Sequence, residues 1–155
     1  MSANEHVKIA FDLDPADGHG YETETVWAEP VGGDRFRLQN SPFFAFGVSA
    51  EDVVSAVPAR KGIYKFQQVV QMGGHSTYRI FLQDSTIADD CFLTRWHEIQ
   101  ALGATYENGN GRFVSVDIPP ETDIRKIYCL LEQGEKDGVW AFEEANYEEI
   151  TRRVQ

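Results

Sequence analysis

Tyr78-Arg79-Ile80-Phe81-Leu82-Gln83 alternates Tyr78, Ile80 and Leu82 with Arg79, Phe81 and Gln83, the period of a strand with one buried face. Ten residues later the period changes. Phe92, Trp96, Ile99 and Leu102 recur at steps of three and four, which puts them on one face of a helix that Gly103 stops. Ala104 to Glu107 reads as a short strand and Asn108-Gly109-Asn110-Gly111 as a hairpin turn with positive-φ residues. Val114, Val116 and Ile118 then alternate on the return strand. The stretch from Tyr78 to Ile118 is therefore strand, helix, strand, turn, strand.

Beyond it, Pro119-Pro120 ends the strand and Glu121-Thr122-Asp123 opens a second helix with Ile124, Ile127, Tyr128 and Leu131 on one face. Gly134 or Gly138 ends that helix, and Val139 to Phe142 gives a last strand before an acidic tail. The strand-helix-strand segment from Tyr78 to Glu107 is thus matched by another from Arg112 to Glu143. That is the βαββαβ order of a ferredoxin-like sheet with both helices on one side.

Upstream the chain is rich in strand signals. Val7, Ile9 and Phe11 alternate, and Asp14-Pro15-Ala16-Asp17-Gly18 is a polar turn. Thr23 to Pro30 and Arg35 to Leu38 form a hairpin across Val31-Gly32-Gly33-Asp34. Asn40 to Val48 holds Phe43, Phe44 and Phe46, and its Pro42 and Gly47 argue against a helix. Ser49 to Asp52 reads as a turn into a strand at Val53-Val54, or as a single helical turn. Ile63 to Met72 and His75 to Gln83 are expected to form a second long hairpin across Gly73-Gly74. The expected fold class is α+β: a small β-rich, barrel-like part over residues 1–74 packed, without a linker, on a ferredoxin-like part over 75–155.

The 155 residues carry a formal net charge of −11. Clustered Lys and Arg, which nucleic-acid binding requires, are missing from such a balance, so no nucleic-acid partner is expected. No apolar run reaches the length of a bilayer span, and the first residues lack a basic and apolar leader. Cytoplasmic location is the expectation, and Cys91 and Cys129, in helical patterns, are expected to pack as small hydrophobes and not to pair.

No stretch carries a catalytic motif. Asp12, Asp14 and Asp17 fail the spacing of a calcium loop, and His6, His19, His75 and His97 are scattered, so neither metal nor cofactor is expected. Trp27, Phe43, Phe44, Phe46, Tyr106, Trp140 and Phe142 either line a binding surface or form core between the two parts, and Phe43, Phe44 and Phe46, entered through Pro42, are expected to be largely buried.

The strand with Phe11, Glu24-Thr25-Val26-Trp27-Ala28, Arg37 to Ala45, Gly47-Val48-Ser49 with Asp52-Val53-Val54, Leu102-Gly103 and Trp140 to Phe142 together resemble a mostly bacterial family catalogued as domain of unknown function 4265. The resemblance implies no activity. Small acidic proteins of this kind are similar to immunity proteins, which neutralise a toxin from a neighbouring gene. That analogy implies a protein partner, a basic toxin, and no turnover. Glu132, Glu135 and Glu144, with Asp137 and Glu143, would then form the docking face. The other reading is a small-molecule binder or enzyme using a cleft between the halves, with Glu29, Asn40, Asp52 and Glu107 as its polar groups.

Overall fold

Val7, Ile9 and Phe11 are buried and their neighbours less so, as alternation requires, in β1 (Val7–Asp12). The computed structural model describes residues 5–17, 20–82, 91–109 and 113–148. Antiparallel pairing runs from β1 to β2 (Thr23–Gly32), β3 (Arg35–Leu38), β4 (Val53–Arg60) and β5 (Ile63–Gln71). β5 then pairs parallel with β1 and closes a five-stranded barrel. Closure leaves this sheet no open edge. Ile9, Phe11, Val26, Phe36, Leu38 and Val54 fill its interior.

The second sheet follows β6 (Ser76–Leu82), α1 (Cys91–Gln100), β7 (Thr105–Asn108), β8 (Phe113–Ile118), α2 (Ile124–Lys136) and β9 (Trp140–Asn146). Its strand order is β7-β8-β6-β9 and every pairing is antiparallel. Both helices share one core with the sheet, built on Tyr78, Ile80, Trp96, Ile99, Ile127 and Trp140. Asp123 caps α2 by accepting the Lys126 N–H at 3.2 Å. Inside α2, Gly134 makes room for the Trp140 indole, since a Cβ there would lie 2.4 Å from the ring, and Trp140 Nε1 donates to the Leu131 carbonyl at 2.9 Å. The fold class is α+β, with mostly antiparallel sheets.

Several expectations need correction. The hairpin of Ile63 to Met72 with His75 to Gln83 does not form: β5 pairs with β4 and β1, and β6 belongs to the other sheet. β4 continues through Pro58 to Arg60 because its ladder is irregular there, and Gly62, at φ 75°, then turns the chain directly back into β5. Gly73 and Gly74 therefore carry the chain from barrel to sheet. β6 is buried on both faces from Ser76 to Ile80, because the side without helices meets the barrel's loops. Tyr128 lies at the rim of its helix, 41% exposed, and Cys129 is exposed. α2 runs past Gly134 and ends before Gly138, whose φ is 76°. β9 extends to Asn146, so Glu143 and Glu144 are strand and not tail. Gly109 is not in the positive-φ region, and Asn110 and Gly111 lie outside the described residues. So do His19, Gln83 and Arg112, and the Cys91 side chain.

Candidate functional site

The helix-free face of the second sheet meets the barrel through the irregular segment between β3 and β4, and charged side chains hold that segment from both sides. Glu24, on β2, accepts the backbone N–H groups of Phe43, Phe44 and Ala45. Three successive N–H groups aimed at one carboxylate form a small anion nest, satisfying donors that a loop would otherwise leave to water. Opposite, Arg79 on β6 is 1% exposed and donates to the carbonyls of Phe44 and Ala45. Ser115 donates to the Pro42 carbonyl at 2.9 Å, and the Gly47 N–H to the Ala145 carbonyl at 3.0 Å.

A second polar cluster lies where the chain crosses between the sheets. Asp52 accepts the N–H groups of Ser49 and Gly73, each at 2.9 Å. Glu148, just beyond β9, accepts the Gly74 N–H at 2.7 Å and the Asn146 side-chain amide at 2.8 Å. Asn146 also donates to Ser49 Oγ, which accepts from the Thr77 hydroxyl. Both carboxyls are buried, and burial, together with each other's proximity, pushes Glu148 up to about 7; burial also raises Asp52. The two titrate as one unit, both raised by burial.

Beside them, His75 Nδ1 sits 2.9 Å from Asp117 Oδ1 and 3.1 Å from Oδ2. That hydrogen bond raises the imidazole above its ordinary value despite partial burial. His75 lines a cavity of about 240 Å³ with Arg37, Glu51, Gln71 and Met72. Asp117 lines a second, of about 120 Å³, with Asn40, Tyr106, Glu107 and Ser115.

Of the residues the sequence singled out, Asn40 and Glu107 are brought together: the Asn40 amide donates to Glu107 at 3.0 Å, tying the barrel side to β7. Asp52 stands apart in the buried cluster, and Glu29 is paired with Arg37 at 2.9 Å. The other set does not form a free acidic face. Glu132 faces Lys136 at 3.7 Å, Glu135 accepts the Phe142 N–H at 3.1 Å, and Asp137 pairs with Arg95 at 2.7 Å. Glu144 accepts the Tyr78 hydroxyl at 2.7 Å, which with burial raises that phenol, while Glu143 stands beside Arg79 on the opposite side of the sheet.

Sequence reasoning missed Glu24, Arg79, Asp117 and Glu148. Arg79 did leave a signal: a strand whose supposedly solvent-facing residues are Thr77, Arg79 and Phe81 is not facing plain water. Glu148 left none, being past the last expected strand. The aromatic segment divides. Phe43 and Phe44 are half-buried, Phe44 stacks 5.2 Å from Phe113 and 4.9 Å from Tyr21, and Phe113 meets Phe81 at 5.0 Å. Phe46 is 49% exposed and so is not core; its ring lies 4.8 Å from the Arg79 guanidinium. Trp27, 48% exposed, lies under Lys8, whereas Trp140 is core.

Among the described residues no three His, Cys, Asp or Glu side chains converge to hold a metal, and no helix is long and apolar enough to cross a membrane. No curated protein matches the chain. A solved structure described as "Novel crystal structure of a hypothetical protein from Neisseria gonorrhoeae" is similar over 94% of this chain and 97% of that one. Its TM-score is 0.74 and its identity 17%, a likeness of fold alone. Residues 24–142 match the family described as "Domain of unknown function (DUF4265)", and a match over most of the sequence, on the segments that build both sheets and the loop between them, makes this chain a member of that family.

Proposed function

We propose that the protein is a non-enzymatic binding module that holds another protein, of the immunity type that neutralises a basic toxin in the cytoplasm. In this reading its second sheet, with order β7-β8-β6-β9, is a ferredoxin-like unit over residues 75–155 packed on the barrel of residues 1–74. The observation that carries it is the filled seam. The described cavities there, about 120 and 240 Å³, are smaller than the several hundred Å³ usual for small-molecule sites. The buried carboxylates of the seam, Glu24, Asp52 and Glu148, are taken up by backbone N–H groups, while Glu29 and Glu107 are engaged by Arg37 and Asn40. A net charge of −11 adds attraction for a basic partner. The test is co-expression with the product of the neighbouring gene: a stable complex that associates fast and more slowly at high salt is expected. No complex, or a purified protein that turns over a small substrate, refutes the reading.

One observation favours the second reading, a small-molecule site between the halves. His75, oriented by Asp117 through Nδ1, makes no hydrogen bond through Nε2 within the described chain and lines the larger cavity. Chemical-shift changes at His75 and at Gln71 to Gly73 on titration with small carboxylates and amines, with those of the neighbours lost in His75→Gln, would establish it.

A further inference from the structure

We propose that Phe46 is the anchor of a docking surface for a basic, apolar segment of a partner polypeptide, flanked by Tyr21, Phe44, Phe113 and Phe81 and rimmed by Glu22 and Glu143. The surface rests on the protein-binding reading and names where and what it binds.

Phe46 is held outward by bonds that do not need its ring. The residues before it, Phe43 to Ala45, are fixed by three N–H groups on Glu24 and two carbonyls on the buried Arg79. Gly47, at φ 81°, turns the chain immediately after it and bonds to Ala145. A loop determined from both sides pays its ordering entropy during folding, so a side chain it displays loses little on binding. Rigid aromatics presented this way are the residue type that dominates binding energy at interfaces. The Arg79 guanidinium lies 4.8 Å from the Phe46 ring centroid, and the residue nevertheless stays 49% exposed. Phe81 follows Arg79 by two residues on the same side of β6, about 7 Å along the strand. Phe81 is 38% exposed and Tyr21 49%, and Tyr21, Phe44, Phe113 and Phe81 touch ring to ring, so these four form one apolar patch, beside which Phe46 stands on Arg79.

Charge selects the occupant. Glu143 stands 3.8 Å from Arg79 with its side chain 41% exposed, and Glu22 is exposed next to Tyr21. Among the described residues the cation at the centre, Arg79, is buried beneath the ring, so an approaching chain meets Glu143, Glu22 and aromatic faces there, on a protein of net charge −11. An apolar side chain on the exposed Phe46 ring, with Lys or Arg against Glu143 and Glu22, satisfies both. An acidic segment would meet repulsion.

The test is a displayed library of random dodecapeptides selected on the wild-type protein and counter-selected on Phe46→Ala. The expected enriched peptides combine net positive charge with an aromatic or aliphatic residue, bind about tenfold more weakly to Phe46→Ala, and weaken with salt. Phe46→Ala should melt with the wild type because the ring is half exposed; Phe46→Leu serves as a second variant if it does not. Glu143→Gln should slow association. Enriched peptides that are neutral or acidic, binding indifferent to Phe46, or no enrichment would overturn the proposal. Self-association abolished by Phe46→Ala would assign the surface to a second copy and also overturn it. A neighbour-encoded partner that still binds Phe46→Ala with full affinity refutes this surface while leaving the protein-binding reading intact.

Discussion

Raising the pH from about 5 to about 8 is expected to weaken the fold, and Glu148→Gln to remove most of that dependence. Glu148 is buried beside Asp52, and its carboxyl is raised from 4.5 to about 7. An acid whose native pKa lies above its unfolded one holds its proton more tightly when folded. Stability is therefore full below the unfolded value and declines until the native value is passed. At about 1.4 kcal/mol per pH unit, this interval amounts to about 3 kcal/mol, an order-of-magnitude figure for the pair as a unit. His75 adds to it with the same sign: its pKa is raised by the hydrogen bond to Asp117, so its contribution is complete below 6.5 and lost as pH rises through the native value. Asp137, lowered by Arg95 and Gln133, acts only in acid below 3.8 and leaves the window untouched. In Glu148→Gln the amide oxygen can still accept from Gly74. Its NH₂ meets Asn146, which must turn its own amide, at a cost of about 1 kcal/mol. The variant should be slightly weaker than wild type at low pH and stronger at high pH. Urea unfolding followed by fluorescence of the buried Trp96 and Trp140 measures this, with His75→Gln to subtract the histidine. A wild-type stability that is flat or rises across the window, or a Glu148→Gln that keeps the wild-type slope, refutes the reasoning.

Glu24→Ala strands three N–H groups at once, and a thermal or urea melt should show a loss of about 2–4 kcal/mol. Gly134→Ala drives a methyl into the Trp140 ring and should cost about 1–3 kcal/mol in the same assay, with red-shifted Trp emission. Phe44→Ala should cost about 1–2 kcal/mol, below the 3–5 typical of a core phenylalanine, because the ring is half-buried and its main partners are Phe113 and Tyr21.

The parts of the fold that alternate or recur locally were legible. Val7, Ile9 and Phe11, and Phe92, Trp96 and Ile99, fall on the faces their spacing assigns. Pairing was legible only where a turn joins consecutive strands. The β2–β3 and β7–β8 hairpins were read in this way. The β4–β5 hairpin across Lys61-Gly62 was not, because Gly73-Gly74 looks like a hairpin and is a crossing: a Gly pair states that the chain bends and not where the next strand pairs. The candidate site was mostly illegible for a different reason. Glu24, Arg79 and Glu148 act on backbone groups far away in the sequence, so no local spacing encodes them. Of the four polar groups assigned to a cleft between the halves, Glu29, Asn40, Asp52 and Glu107, only Asn40 and Glu107 bond to each other.

Glu24, Arg79, Asp52 and Glu148 are charged groups in a seam where apolar side chains would be cheaper to bury, and their partners explain their presence. The three carboxylates do not rely mainly on an opposite charge. Glu24, Asp52 and Glu148 bind N–H groups, and Arg79 binds carbonyls, all from loops or chain crossings. Two apolar surfaces can slide by a residue with little loss, but a carboxylate shared by three N–H groups tolerates no such shift. The seam therefore fixes one orientation of barrel against sheet. The loop bonds point the same way: Glu24 of the first half holds Phe43, Phe44 and Ala45, and Arg79 of the second holds the last two of them, so separating residues 1–74 from 75–155 would leave Arg79 without its carbonyls and the Phe43–Ala45 loop without part of its restraints. We read the two halves as one cooperative unit, in which the bonds that lock the seam also fix where Phe46 stands.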